Sequence, residues 1–218
     1  STVLRVGTEE QKQYICDRIL NGSIGCNCIT EAGAGSEVTA MKTTAVKDGN
    51  DYILNGTKCF ISNAPIADTF MVVAYTDKEK GPKGMSLFLV EKERGVEIGT
   101  KENKMGLRSS VTGEVILNDV RVPAKNMIGP EGMGYKNILE TLKVGRIMNT
   151  AVVVGIAQRA LDEAVKYANE RVTFGKPIKK HQGVQFMLAD MEMQIQAARQ
   201  YLLYGVQTVS YTHLTLPT

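Results

Sequence analysis

The chain has 218 residues, 43% of them hydrophobic and 22% charged, and a formal net charge of +3 at pH 7. That length and apolar content can bury a sizeable core and exclude a disordered chain, which would be poorer in apolar residues. The small excess of 26 basic over 23 acidic residues, with no Trp, gives neither a phosphate-tracking surface nor stacking platforms for nucleic acid. No apolar run approaches the ~20 residues a membrane helix needs.

Thr8-Glu9-Glu10-Gln11 is a helix start, because Thr8 can cap and Gln11 can reach back to it. The helix is expected to run to about Leu20 and stop at Asn21-Gly22. One short helix before a sheet region reads as the last helix of a larger helical element. The chain opens on Ser rather than Met, so its gene is expected to begin earlier. The four cysteines, at 16, 26, 28 and 59, include no C-x-x-C pair and have no histidine nearby. We expect reduced thiols, most of them packing residues, and no metal site.

From about residue 25 to 122 the pattern is β. Strand candidates cover 43–46, 52–54, 58–61, 70–75, 85–90 and 114–117. Turn signals at Asp48-Gly49-Asn50, Asn55-Gly56 and Gly81-Pro82-Lys83-Gly84 separate them. Many short strands with no helix between them predict a barrel or sandwich.

From Gly132 the period becomes helical. A long helix is predicted over 135–170, with Ile138, Leu142, Gly145, Asn149, Val152, Ile156, Ala160, Ala164 and Tyr167 on one side. Gly175-Lys176-Pro177 breaks it. A second helix over 180–208 places Val184, Leu188, Met191, Ile195, Ala198 and Leu202 at alternating spacings of four and three, an antiparallel-bundle stripe. Two helices cannot bury such stripes alone, so further partners are expected. Met187, Met191 and Met193 read as gap-filling core. Residues 209–218 carry no charge and no helical period, and resemble the read-through translation of an adapter sequence. They are set aside. His213 goes with them, which leaves His181 as the only histidine for chemistry.

The expected fold is α+β. It begins with the end of a helical domain (1–24), continues as a central antiparallel β-barrel or sandwich (25–130) and ends in the first helices of an incomplete bundle (131–208). Within it, Cys28 to Val38 contains Gly33-Ala34-Gly35-Ser36. This is not a dinucleotide fingerprint: the third glycine is absent, and a strand pattern follows where a helix should open.

Several motifs occur in order. They are Thr30-Glu31-x-Gly-Ala-Gly-Ser, Asn55-Gly56-x-Lys58-x-Phe60-Ile61-Ser62-Asn63, Met105-Gly106-x-Arg108-Ser109, Gly145-Arg146-Ile147, Ala157-Gln158-x-Ala160-Leu161, Arg171-x-Thr173-Phe174-Gly175-x-Pro177-Ile178 and His181-Gln182. Together, over about residues 7 to 207, they resemble the acyl-CoA dehydrogenase family. The resemblance implies FAD as cofactor and a fatty acyl-CoA as substrate, oxidised to trans-2-enoyl-CoA. A carboxylate would remove the α proton while the β carbon gives a hydride to flavin N5. Such chemistry needs preorganised donors on the thioester carbonyl and a raised-pKa base in a site cleared of water.

By that resemblance, Asn27, Cys28, Ile29 and Thr30 lie along the flavin ring, with the Thr30 hydroxyl the main contact and Ile29 an apolar wall. Phe60, Ile61 and Ser62 match the segment that packs against the flavin. Ser36 matches a residue that contacts the CoA portion, and Ser36 also falls among the cofactor-binding positions. Arg146, with Lys143 beside it, matches a helix position that serves CoA. Arg171, Thr173, Phe174 and Gln182 match the segment that reaches the FAD of a neighbouring subunit, and His181 reads as a structural partner there. The resemblance therefore implies a homo-oligomer, a dimer of dimers, with an electron-transferring flavoprotein as acceptor. The protein would be cytoplasmic, or of the mitochondrial matrix in a eukaryote. No catalytic residue is assigned: Gly145 stands where a minority of the family carry the base, Glu140 is not at the matching position, and the base is expected downstream of Gln207. The substrate class implied is short-chain. The same fold also hosts acyl-CoA oxidases, carnitinyl-CoA-type dehydrogenases, flavin monooxygenases and flavin-free paralogues.

Overall fold

The computed structural model describes residues 2–211, with side chains through 208. The chain forms two compact units, 1–139 and 140–218.

The first unit opens with α1 (Thr2–Val6) and α2 (Glu9–Leu20). The expected capping box is present: the Gln11 amide donates to Thr8 Oγ1 at 3.2 Å, and the Thr8 amide donates to Gln11 Oε1 at 3.1 Å. The Gln11 side chain does a second job. Its Nε2 donates to the carbonyls of Lys125 and Met127, both at 2.8 Å, and so docks the start of α2 on the sheet unit. The short α1 was not foreseen from the sequence.

Seven strands follow: β1 (Gly25–Cys28), β2 (Thr44–Asp48), β3 (Asp51–Ser62), β4 (Thr69–Tyr75), β5 (Met85–Glu91), β6 (Glu97–Lys101) and β7 (Thr112–Pro123). They form one sheet in the order β1-β4-β2-β3-β7-β6, with β5 on the other edge of β4. Most pairings are antiparallel, as expected, but β1 runs parallel to β4, pairing Gly25 with Thr69 through Cys28 with Val72. β2 meets β4 farther along, at Tyr75. The sheet therefore curls around β4, whose two faces are both buried. Phe70, Val72 and Ala74 enter one core with Tyr52, Leu54, Phe88 and Val115. Val73 and Tyr75 enter a second with Met85, Leu87, Met41, Val3, Ile15 and Ile138. The second core joins sheet, helices and the 29–43 loop.

Asn55-Gly56 is not the turn its sequence suggests. The two candidate strands around it are one strand, β3, with a register shift between Leu54 and Gly56. Asn55 instead reaches across to β7, where its Oδ1 accepts from the Asp119 amide at 2.8 Å. Gly56 sits at φ +152°, and a Cβ there would lie 2.3 Å from Thr43 Oγ1. The glycine is required by the close approach of Thr43, just before β2, and not by chain reversal.

α3 (Gly134–Glu170) begins on the first unit, where Gly134 packs against Ser86 so tightly that a Cβ would lie 2.8 Å from its Cα. The second unit contains the rest of α3, the hairpin β8 (Val172–Thr173) and β9 (Lys176–Pro177), and α4 (Gln182–Tyr211). The α4 stripe is as expected: Val184, Leu188, Met191, Ile195 and Leu202 are its more buried positions, although Ala198 is exposed. The α3 stripe is so only in part: Ile138 is buried in the second core, and farther along Val154, Leu161 and Ala168 are buried, whereas Val152, Ile156 and Tyr167 are 61%, 64% and 58% exposed. α3 is apolar on more than one side: Val153, Val154, Ala157 and Ala160 line a groove with Met191, Ile195 and Ala198 of α4, and of these α3 residues only Ala160 belongs to the predicted stripe. Met187 and Met193 are likewise exposed rather than core. The backbone of α4 continues through Tyr211, into the stretch set aside as a tail; residues 212–218, His213 among them, lie outside the described residues.

Candidate functional site

Strand alternation sorts the first group of expected site residues. Asn27 is exposed on β1 between buried Cys26 and Cys28. Cys28 is fully buried and Ile61 nearly so, so their side chains belong to the core and only their backbones can meet a ligand. Burial also pushes the Cys28 thiol well above its ordinary value, a rise that the neighbouring Cys26 reinforces. Ile29 is half-buried and packs against the second core. Thr30 is half-buried, and Ser36 and Ser62 are exposed.

Phe60 is not strand core. It is 63% exposed, at φ +57°, in a register shift of β3 between Lys58 and Ile61. A left-handed conformation costs an L-residue roughly 1–2 kcal/mol, and a residue 63% exposed recovers little of it by burial. Asn63, at φ +68°, completes the bend. The same irregularity frees the Cys59 amide to donate to the Thr30 carbonyl at 2.9 Å. Bulges of this kind re-aim side chains beside sites.

The electrostatic centre of the region was assigned no role from the sequence. Lys58 has a fully buried side chain, and its Nζ donates to Glu31 Oε1 at 2.9 Å, to the Ile29 carbonyl at 3.2 Å and to Met41 Sδ at 3.8 Å. Glu31 also accepts from the Lys42 amide at 2.7 Å and from the amide and hydroxyl of Thr43 at 3.1 and 2.5 Å. Burial acts to raise the Glu31 carboxyl, but the Thr43 hydroxyl, the Lys42 amide and the Lys58 ammonium outweigh it and hold the carboxyl below its usual value. Burial lowers the Lys58 ammonium, and Glu31 only partly restores it. The signal was available: Lys58 falls on the inward face of β3 with Tyr52 and Leu54, and a charge at an inward position needs a buried partner.

These features fit a flat, polar-edged ligand. Among the described residues, neither the amide nor the hydroxyl of Thr30 has a hydrogen-bond partner. Gly33 and Gly35 stand over open space, with nothing within 4 Å of a Cβ at either. Beside Thr30, the β3 segment that bonds its carbonyl turns an aromatic ring outward.

The second unit carries the remaining expected residues. Arg146 and Lys143 are exposed on α3, and Lys143 is paired with Glu140 at 2.6 Å. Arg171 is exposed where α3 ends, and Gln182 is exposed where α4 begins. Thr173 Oγ1 lies 3.0 Å from His181 Nε2, so the histidine braces the hairpin loop. Phe174 meets the His181 ring edge-on at 6.0 Å between centroids. It is 95% exposed at φ +49°, a second outward aromatic in a left-handed conformation.

A curled sheet with a buried ion pair behind an open glycine loop, followed in the chain by long helices, defines a two-part class of fold, β then helical. The chain belongs to the acyl-CoA dehydrogenase family: its middle domain matches residues 26–120 and its C-terminal domain residues 132–215. Members of this family are FAD-dependent oxidoreductases. Over 200 residues the chain is 46% identical to a short-chain-specific acyl-CoA dehydrogenase of Clostridium acetobutylicum, covering 91% of this chain and 52% of that protein. It is 44% identical over 209 residues to subunit CarC of a caffeyl-CoA reductase-Etf complex of Acetobacterium woodii, covering 95% and 55%. The structure of butyryl-CoA dehydrogenase from Megasphaera elsdenii superposes with a TM-score of 0.91 at 41% identity, over 99% of this chain and 56% of that one. The chain spans about half the length of the curated relatives it matches.

Proposed function

We propose that the protein is an FAD-dependent dehydrogenase of short-chain acyl-CoA thioesters, forming the trans-2-enoyl-CoA. The observation that carries this reading is the pairing of Thr30 with Phe60. A half-buried threonine with available amide and hydroxyl stands beside a strained, outward aromatic, on the domain that matches the family's middle domain.

FAD, when bound, supplies the acceptor for the hydride from the substrate β carbon. This chain's part is to hold and shield it. Thr30 would offer its amide and hydroxyl to the polar edge of the flavin, and Ser62 a second hydroxyl. Asn27 and the backbones of Cys28 and Ile61 would border the ring, with Ile29 as apolar wall. The Phe60 ring would cover one face and exclude water, which strengthens the surrounding hydrogen bonds. Ser36, Lys143 and Arg146 would serve the CoA portion; the guanidinium fork suits phosphate. The Lys143–Glu140 pair is a surface pair of small strength and can open. Arg171, Thr173, Phe174 and Gln182 would meet the FAD held mainly by another subunit of a homotetramer. The identity to a protein of an Etf complex favours an electron-transferring flavoprotein as acceptor. Gly145 leaves no carboxylate before Arg146, and we assign α-proton abstraction to a carboxylate outside these residues.

The test is expression from the whole reading frame, followed by visible absorbance and anaerobic titration with acyl-CoA thioesters of increasing chain length. Bound flavin, bleached most readily by a four-carbon thioester, is expected. A protein that takes up no FAD on reconstitution, or whose flavin no acyl-CoA reduces, would refute the reading.

A further inference from the structure

Lys58 is bound to more than its counter-ion. The Ile29 carbonyl that accepts from its Nζ at 3.2 Å belongs to the same peptide group as the Thr30 N–H. A cation on a peptide carbonyl draws electron density from the amide and makes its N–H a stronger donor, the cooperative polarisation of linked hydrogen bonds. The other side of Thr30 is fixed by the Cys59 amide on its carbonyl at 2.9 Å. One strand segment, Lys58-Cys59-Phe60, therefore grips both peptides of Thr30 and presents the aromatic ring. Glu31 keeps the ammonium in place, itself tied to Lys42 and Thr43.

We infer that Lys58 is a positioning residue which, through the Ile29–Thr30 peptide, strengthens the Thr30 N–H as a donor to the flavin and so raises the cofactor's reduction potential. The inference rests on the reading of Thr30 as a flavin contact. Reduction places negative charge on the ring system, and a stronger donor favours the more negative form.

Two variants of the FAD-reconstituted, full-reading-frame protein separate this role from a structural one. Glu31→Gln/Lys58→Met removes the cation and keeps the packing. At a fixed poise its ratio of reduced to oxidised flavin should fall about tenfold, a shift of ~30 mV to lower potential for a two-electron couple. Glu31→Gln alone, measured at pH 6, leaves the ammonium without its compensating charge and should move the potential the other way. A loss of rigidity would move both variants in the same direction, so shifts of one sign, or none beyond twofold in the ratio, overturn the inference. If Glu31→Gln fails to fold, Glu31→Gln/Lys58→Arg takes its place: restoring a cation should reverse the fall seen in the double variant, and a ratio that stays low overturns the inference. Wild-type protein that binds no FAD overturns the underlying reading as well; wild type that binds FAD with unmoved variants overturns only the role of Lys58.

Discussion

Removing Lys58 alone should unfold the first unit far more readily than removing Lys58 and Glu31 together. In Lys58→Met the ammonium and its contacts to Glu31, Ile29 and Met41 are lost, and a carboxylate that is 8% exposed keeps only its Lys42 and Thr43 donors. Breaking a buried pair on one side costs about 3–5 kcal/mol. The three remaining donors on Glu31 place this variant near the lower end, about 3 kcal/mol. Glu31→Gln leaves a fully buried cation with neutral acceptors alone and no compensating charge, and belongs nearer the upper end, about 5 kcal/mol. The double variant exchanges the pair for a neutral, volume-matched core and should lie within about 2 kcal/mol of wild type. Urea unfolding at pH 7, followed by far-UV circular dichroism with equal m-values required across the four proteins, completes the cycle. Single variants that each cost less than about 1 kcal/mol, or costs that simply add, would refute the claim that the two charges are buried together.

Three further outcomes are expected. Gly56→Ala forces a Cβ to within 2.3 Å of Thr43 Oγ1, so it should lower stability by about 2–3 kcal/mol in the same urea assay. Phe60→Gly relieves the left-handed strain and should hold or raise stability by up to about 1 kcal/mol, while FAD affinity, read by flavin fluorescence, falls roughly tenfold; equal affinity would remove Phe60 from the site. The carboxyls of Glu31 and Glu91 are both held below their ordinary value of 4.5, against the pull of burial, by hydrogen bonds and neighbouring cations. Their folded-state values lie below the unfolded ones, so their stabilisation is present above pH ~4.5 and lost as pH falls through the lowered values. The urea midpoint should drop between pH 4.5 and 3, and less steeply in Glu31→Gln/Lys58→Met.

Local signals in the sequence were enough for features whose partners are near in the chain. Thr8 and Gln11 lie within one helical turn, so the capping box and the span of α2 follow from residue type and spacing. The α4 stripe follows from period, since the alternating spacings of four and three put its apolar residues on one side of that helix. The long range of α3 and the β-to-helix order were legible for the same reason. Tertiary structure decided the rest. Asn55-Gly56 has the composition of a turn, yet a strand passes through it because Thr43, just before β2, and Asp119 of β7 close in on it. α3 is apolar around much of its circumference, and tertiary packing buries Val154, Leu161 and Ala168 while leaving Val152 and Ile156 exposed. Lys58 and Glu31 are separated by 27 residues and each is unremarkable alone. Their joint burial behind Thr30 arises when β3 and the 29–43 loop close on each other, because a charge is tolerated in a core only where the fold brings its counter-charge.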